Sequence, residues 1–219
     1  MLQTLNSLLF PTKHICLFCK EKNGSIKGYI CKECYENLEV LNREVQIDSI
    51  YINKVYYSLS YNRFIREMMK NYKYNGKNYL YKPFGEIMIR TIENKKIAED
   101  IDIIIYVPTH KRKEALRGYN QAELLAVYIS KNLEKPLLRE NLIKTKWTKE
   151  QSHSNKIDRI INLKGSFQIK DSSEIERKKI LLVDDIITTG VTMDECSRVL
   201  INNGAKEVIG IALTSSKNN

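Results

Sequence analysis

The sequence predicts an α/β fold built on a mainly parallel sheet, with a small cysteine-bearing module at the N-terminal end. Three observations carry this expectation. Residues 101–108, IDIIIYVP, and 180–183, ILLV, are apolar runs of the kind found in parallel strands buried on both faces. Between them lies a stretch with helical spacing, in which Ala122, Leu125, Ala126 and Ile129 share one face. Four of the five cysteines fall within the first 34 residues as two C-x2-C pairs.

Taken in chain order, Leu2, Leu5, Leu8 and Leu9 have helical spacing and Pro11 ends that helix. The segment has no basic n-region and no small-residue cleavage site, so it does not read as a secretory signal. Next come Cys16-x2-Cys19, an 11-residue gap and Cys31-x2-Cys34. Each pair brings two thiolates to one side of a tight turn, and Gly24 and Gly28 suit a short hairpin between the pairs. Four facing thiolates make the closed tetrahedral shell of a structural Zn2+ site, with rubredoxin-type iron as the rival. His14 is a competing ligand on position alone, but four thiolates already fill the shell. Beyond this module, strands are expected near 54–60, 101–107, 180–185 and 206–213, and helices near 63–73, 84–97, 118–133 and 193–203. Gln151, Arg159, Asn162 and Phe167 punctuate a polar stretch that suggests a flexible loop and a return strand. The expected division is 1–45 for the helix and cysteine module and 46–219 for the larger domain.

Composition bounds the function. Of 219 residues, 42% are hydrophobic and 28% charged, which is globular rather than disordered. No apolar run approaches the roughly 18 residues of a membrane span, so a soluble chain is expected. Without an export signal, clustered cysteines fit a reducing cytoplasm, where they serve metal binding or chemistry rather than disulfides. The formal net charge is +10, and most of the excess, +7, lies in residues 101–170. Nucleic acid, an anionic small molecule and a solvated lysine surface all remain open on charge alone.

The stretch KKILLVDDIITTGVTMDE, residues 178–195, narrows the choice. Asp184 and Asp185 follow the apolar run at the carboxyl end of a strand, where open α/β sheets bind ligands. Thr188, Thr189, Gly190, Val191 and Thr192 form a turn into a helix, offering hydroxyls and backbone N–H groups to a phosphate. Two neighbouring carboxylates can accept hydrogen bonds from adjacent ribose hydroxyls. A Walker-type nucleotide site is disfavoured because no G-x-x-x-x-G-K-[ST] occurs. Helix capping and a solvated acid pair are the plainer alternatives for an isolated Asp-Asp. Upstream, His110, Lys111, Arg112, Lys113 and Arg117 gather after the strand at 101–107, on what reads as a loop. Such a basic wall suits a departing pyrophosphate.

The 180–192 segment resembles the phosphoribosyl pyrophosphate (PRPP) signature of type I phosphoribosyltransferases. That resemblance implies a type I phosphoribosyltransferase-like core, with Asp184 and Asp185 on the ribose hydroxyls and residues 188–192 around the 5′-phosphate. It also implies Mg2+ bridging the pyrophosphate and oxocarbenium character at the anomeric carbon. The cysteine pairs, RGYNQ at 117–121, the Gln151…Arg159-x-x-Asn162…Phe167 series and YNRFIREMMKNYKYNGKNYL at 61–80 are similar to the ComF family, the competence-associated phosphoribosyltransferase-like proteins. One departure is Tyr106-Val107-Pro108-Thr109, where a Pro-Val-Pro-Leu-like loop is expected. The family resemblance implies a cytoplasmic role in uptake of transforming DNA beside the competence helicase and other DNA-uptake proteins, or, in some relatives, in sugar utilisation.

Two functions follow. One is an Mg2+-dependent transferase in which Asp184 and Asp185 hold ribose, Thr188 to Thr192 hold phosphate, and Lys111, Arg112 and Arg117 stabilise pyrophosphate. The other is a non-catalytic adaptor that senses a ligand and binds single-stranded DNA or a helicase through the basic middle segment, using Lys144, Lys146 and Lys149 with Tyr106, Tyr119, Tyr128 and Trp147. Cys196 is expected to be a small buried helix residue.

Overall fold

The computed structural model describes residues 15–22, 26–147 and 162–216. The helix expected before Pro11, and His14, Lys149, Gln151 and Arg159, lie outside these residues. The chain opens with a hairpin, β1 (Ile26–Lys27) and β2 (Ile30–Cys31), turned by Gly28 at φ 73°. Helix α1 (Lys32–Glu36) starts directly on Cys31, whose sulfur accepts the Cys34 N–H. Strand β3 (Val40–Glu44) pairs antiparallel with β4 (Lys54–Ser60). After Asn62, whose side chain caps it, α2 (Arg63–Tyr74) runs away from β4. Helix α3 (Tyr81–Asn94) leads to β5 (Ile103–Tyr106). Then follow α4 (Lys111–Arg117), α5 (Gln121–Leu133) and the antiparallel pair β6 (Leu142–Lys144) and β7 (Phe167–Ile169). Strand β8 (Lys179–Ile187), α6 (Val191–Asn202) and β9 (Glu207–Ser215) complete the fold.

The main sheet has the order β3-β4-β9-β8-β5, and all its pairs are parallel except the β3 edge. Strand alternation gives it two buried faces. Leu181 and Val183 of β8 pack with Tyr72, Phe84 and Leu125 from α2, α3 and α5. Ile180 and Leu182 pack with Met193, Cys196 and Leu200 of α6. Cys196 is fully buried there, as its sequence context suggests. Among the described residues, no helix is long and apolar enough to cross a membrane.

Several boundaries differ from expectation for identifiable reasons. Helix α3 starts three residues earlier than 84, because Pro83 falls in the first turn, where a missing N–H breaks no intrahelical bond. It ends by Asn94, and Lys96 then turns left-handed at φ 56°. The segment read as a basic loop at 110–117 is instead the short helix α4, capped by His110 and closed by Gly118 at φ 81°. The helix expected from 118 accordingly begins at Gln121, capped by the Asn120 side chain. Strand β8 continues past the acid pair because Ile186 and Ile187 still pair with Thr214 and Ser215 of β9. Strand β3 has little apolar alternation of its own, so its pairing with β4 defines it.

The cysteine segment is docked on the larger core. Cys16, Phe18, Ile30, Cys31 and Cys34 are buried in the same cluster as α2 and α3. The Phe18 ring lies 5.8 Å from Phe64 and 5.6 Å from Phe84, and Phe84 in turn lies 5.5 Å from Tyr72.

Candidate functional site

The acid pair sits near the carboxyl end of β8, and its neighbouring carboxylates turn to opposite sides of the strand. Asp185 is buried and faces α2, where its Oδ2 lies 2.9 Å from the Lys73 ammonium. Burial works against the Lys73 charge, yet Asp185 outweighs it and holds Lys73 above its ordinary value. Asp184 lies near α6 and β6, where its charge is felt at Cys196, and it is offset first by Lys73 and then by Lys144. Its Oδ1 accepts the Asp185 backbone N–H at 2.7 Å. Burial, and then the adjacent Asp185 charge, push the Asp184 carboxyl up to about 7. The two acids are therefore not equivalent: Lys73 pairs directly with Asp185 and acts on Asp184 from farther off, where Lys144 adds to it.

Downstream, Thr188 and Thr189 precede Gly190, which takes φ 84° and stands at the N-cap of α6 without a side-chain cap. Val191 and Thr192, read from sequence as part of the turn, are the first residues of that helix. The α6 N-terminus thus has no capping side chain, and its dipole and leading N–H groups can meet an anion. A Cβ on Gly190 would lie 2.7 Å from Ile47 Cδ1, so the 45–53 connection passes closely over this turn. Ser49 on the same connection hydrogen-bonds Asp194. Beside it lies a cavity of about 300 Å3 whose lining includes Ile47, Lys164, Thr189 and Arg198.

Of the predicted basic residues, the structure brings Arg117 to the site and leaves Lys111 and Arg112 exposed on α4. The Arg117 guanidinium lies over the Tyr74 ring at 4.8 Å, donates to the Tyr74 hydroxyl at 3.1 Å and donates to Gln121 Oε1 at 3.0 Å. Its charge is felt at Lys73. RGYNQ acts as one unit. Gly118 ends α4, the Tyr119 ring packs 6.0 Å from Tyr72, and Asn120 both caps α5 and donates to the Val107 carbonyl at 3.2 Å. That last bond anchors the loop leaving β5, which has no cis peptide. Tyr106 is buried, Tyr119 packs on Tyr72, and Tyr128 packs between Tyr29 and Tyr81, so these rings are interior rather than base-stacking surfaces. Trp147 is partly exposed against His110, and Tyr74 is exposed beside Arg117.

Sequence reasoning missed Lys73 and Gln121 as site residues. Lys73 lies within an amphipathic helix, where one lysine looks like any other, and only the fold shows that it meets Asp185. Gln121 was visible within RGYNQ, but nothing in the string separates a capping role from a binding one.

The four cysteines converge as expected. Their sulfurs lie within 4.8 Å of one another, with Cys19 and Cys31 3.9 Å apart. A tetrahedron with metal–sulfur bonds of about 2.3 Å has edges of about 3.8 Å, so the cluster can close on a metal ion with small adjustments. Cys31 N–H donates to Cys16 Sγ at 3.3 Å and Cys34 N–H to Cys31 Sγ at 3.5 Å, the backbone support that thiolates need. Burial opposes the Cys16 charge, yet the N–H groups of Cys31, Cys19 and Phe18 draw its thiol down to about 7. Burial pushes the Cys34 thiol up, a cost that a bound cation would remove.

Comparison with known proteins agrees with this layout. The phosphoribosyl transferase domain family matches residues 122–219. Competence protein ComFC of Bacillus subtilis is 27% identical over 205 residues, covering 90% of this chain and 82% of that protein. Competence protein F of Haemophilus influenzae is 30% identical over 145 residues, covering 64% and 63%. DNA utilization protein YhgH of Escherichia coli O157:H7 is 34% identical over 107 residues, so that this chain spans about half of that relative, 46%. A purine phosphoribosyltransferase structure from Pyrococcus horikoshii superposes with a TM-score of 0.38 at 20% identity, over 60% of this chain and 73% of that one. With its cysteine pairs, RGYNQ unit and strand–acid pair–helix segment set out in this order, the chain is similar to competence protein ComFC over most of its length and to the phosphoribosyl transferase domain family over residues 122–219.

Proposed function

We propose that the chain binds PRPP at the carboxyl end of β8 and acts in handling of transforming DNA in the cytoplasm. The observation that carries the ligand is the run from Asp184 and Asp185 through Gly190 to an α6 N-terminus without a side-chain cap, with Arg117 and Lys73 alongside. Ribose hydroxyls meet carboxylates, and the 5′-phosphate meets the Thr188 to Thr192 turn and helix start. Carboxylate and threonine oxygens give the site the hard donor chemistry that suits Mg2+. Mg2+, arriving with the diphosphate, would supply charge neutralisation. The competence and DNA-uptake role rests on the names of the relatives and on family resemblance. In this reading Zn2+ on Cys16, Cys19, Cys31 and Cys34 is structural, and residues 1–45 and 46–219 are its zinc and phosphoribosyltransferase-like parts.

Calorimetric titration of PRPP with Mg2+ into the zinc-loaded protein and into the double variant Asp184→Asn, Asp185→Asn tests the site. The wild type is expected to bind and the variant to lose at least tenfold in affinity. Equal binding by both proteins would remove the assignment. Transfer of ribose 5-phosphate to a nitrogen nucleophile is the enzymatic extension, in which Arg117, with Lys111 and Arg112 at the rim, would stabilise departing pyrophosphate.

A second reading, a binding adaptor for single-stranded DNA or a competence helicase, is favoured by one feature. Leu116, 82% exposed, lies on α4 with Lys111 and Arg112, exposed Trp147 follows Lys146, and exposed Tyr74 of α2 packs under Arg117. Aromatic rings beside cations form a platform for unpaired bases.

A further inference from the structure

We propose that Lys73 and Gln121 are ligand-binding residues that, with Arg117, take the anomeric diphosphate of the bound sugar phosphate. The inference rests on the PRPP reading above and assigns residues to one end of that ligand. Lys73 closes α2, and its side chain is only 18% exposed. Among the described residues it makes one ion pair, with Asp185, although an ammonium carries three donors. Gln121 is 3% exposed. Its Oε1 accepts from Arg117 and its backbone carbonyl accepts the Tyr72 hydroxyl at 2.8 Å. Its Nε2 is buried with no hydrogen-bond partner. Buried amide donors are nearly always paired in native proteins, so this one marks a place where an acceptor belongs.

The cluster brings cationic donors and carboxylates together at one place. Lys73 and Arg117 are near enough for each to oppose the other's charge, and Asp185 is the carboxylate between them and the strand. Two carboxylates act on Lys73, Asp185 through the direct ion pair and Asp184 from farther off, while Gln121 Nε2 has no acceptor. A vicinal diol next to a diphosphate matches both halves. On binding, Asp185 exchanges the Lys73 ammonium for a ribose hydroxyl, and Lys73 exchanges the carboxylate for phosphate oxygens. Lys73 stays ionised throughout and Gln121 Nε2 gains its missing acceptor. The 5′-phosphate belongs to residues 188–192, so the group left for this cluster is the diphosphate.

The test titrates inorganic pyrophosphate, ribose 5-phosphate and PRPP, each with Mg2+, into four zinc-loaded proteins. These are the wild type, Lys73→Met, the double variant Lys73→Met, Asp185→Asn, and Gln121→Glu. Lys73→Met alone leaves Asp185 buried without its counter-ion and risks misfolding. The double variant removes that charge as well and keeps the test decisive. Gln121→Glu preserves the acceptor for Arg117 but turns the orphan donor into an anion. The expectation is a tenfold or greater loss of affinity for pyrophosphate in all three variants, with a smaller loss for ribose 5-phosphate than for pyrophosphate in Lys73→Met and Gln121→Glu. If the double variant binds pyrophosphate as tightly as the wild type, Lys73 is only a counter-ion and the inference falls. If Gln121→Glu changes no affinity, the Gln121 assignment falls. A wild type that binds no PRPP would overturn the site reading itself, and this inference with it.

Discussion

Replacing Asp184 with Asn is expected to stabilise the ligand-free protein while weakening its hold on ribose. The Asp184 carboxyl is held at about 7 in the fold, against an ordinary 3.8. The raised value makes the folded state the stronger proton binder between these two values. Stability therefore falls as pH rises through that window, because the unfolded chain gives up the proton earlier. At about 1.4 kcal/mol per pH unit, ionising Asp184 costs the fold about 4 kcal/mol near pH 8 and about 2 kcal/mol near pH 5, relative to a neutral side chain of the same shape. Asn supplies that shape and keeps the oxygen that accepts the Asp185 N–H at 2.7 Å. Urea unfolding of zinc-loaded wild type and Asp184→Asn, at pH 8 and at pH 5, reads the difference directly, since the cysteine cluster is common to both. The variant should be the more stable protein, by a margin that shrinks toward acid. A margin independent of pH, or a wild type more stable than the variant at pH 8, would refute the reasoning. Stability gained by removing a binding group is the trade expected of a site that holds a charge out of water.

Two further predictions concern the scaffold. Gly190→Ala forces a side chain into φ 84° and 2.7 Å from Ile47 Cδ1, so a loss of about 1–3 kcal/mol is expected in thermal melts, together with weaker PRPP binding as the α6 N-terminus shifts. Chelating the metal under reducing conditions should lower the melting midpoint of the whole chain rather than release one segment, because Cys16, Phe18, Cys31 and Cys34 share a core cluster with Phe84 and Tyr72. Calorimetry showing an unchanged main transition after complete metal loss would contradict this.

The elements legible in sequence were those with local physics behind them. Strand β4 was read at its observed limits, 54–60, and β8 and β9 came within two residues at either end, because an apolar run between polar flanks announces a buried strand. The cysteine cluster was legible because ligand spacing is a local property. What escaped depends on distant partners. Helix α4 has no buried residue to give it periodicity, and its His110 cap is not a standard capping residue. Strand alternation turns Asp184 and Asp185 to opposite sides of β8, and which neighbours each then meets is set by distant elements. Lys73 became visible only when α2 placed it against a residue more than a hundred positions away.

That separation of the two acids also bears on the net charge of +10. Lys73 acts on both carboxylates, and Lys144 adds to it at Asp184. Lys73 and Arg117 come from the α2, α4 and α5 layer, and Lys144 comes from β6. The basic middle segment is thereby split. Arg117 and Lys144 face the strand end, where a compact phosphate ester would meet them, while Lys111, Arg112 and Lys146 stay exposed. In the reading proposed above the inner set meets a small anion whose hydroxyls reach Asp184 and Asp185, which a nucleic acid backbone held at the surface would not bring. The outer set has no such carboxylate requirement, and it adjoins Trp147 and the exposed Leu116. A polyanion bound there would show steep salt dependence, whereas a ligand at the inner set would show a shallow one, because partly buried charges are screened less. The salt slope of a binding isotherm therefore separates the two ligand classes proposed for this one surplus of charge.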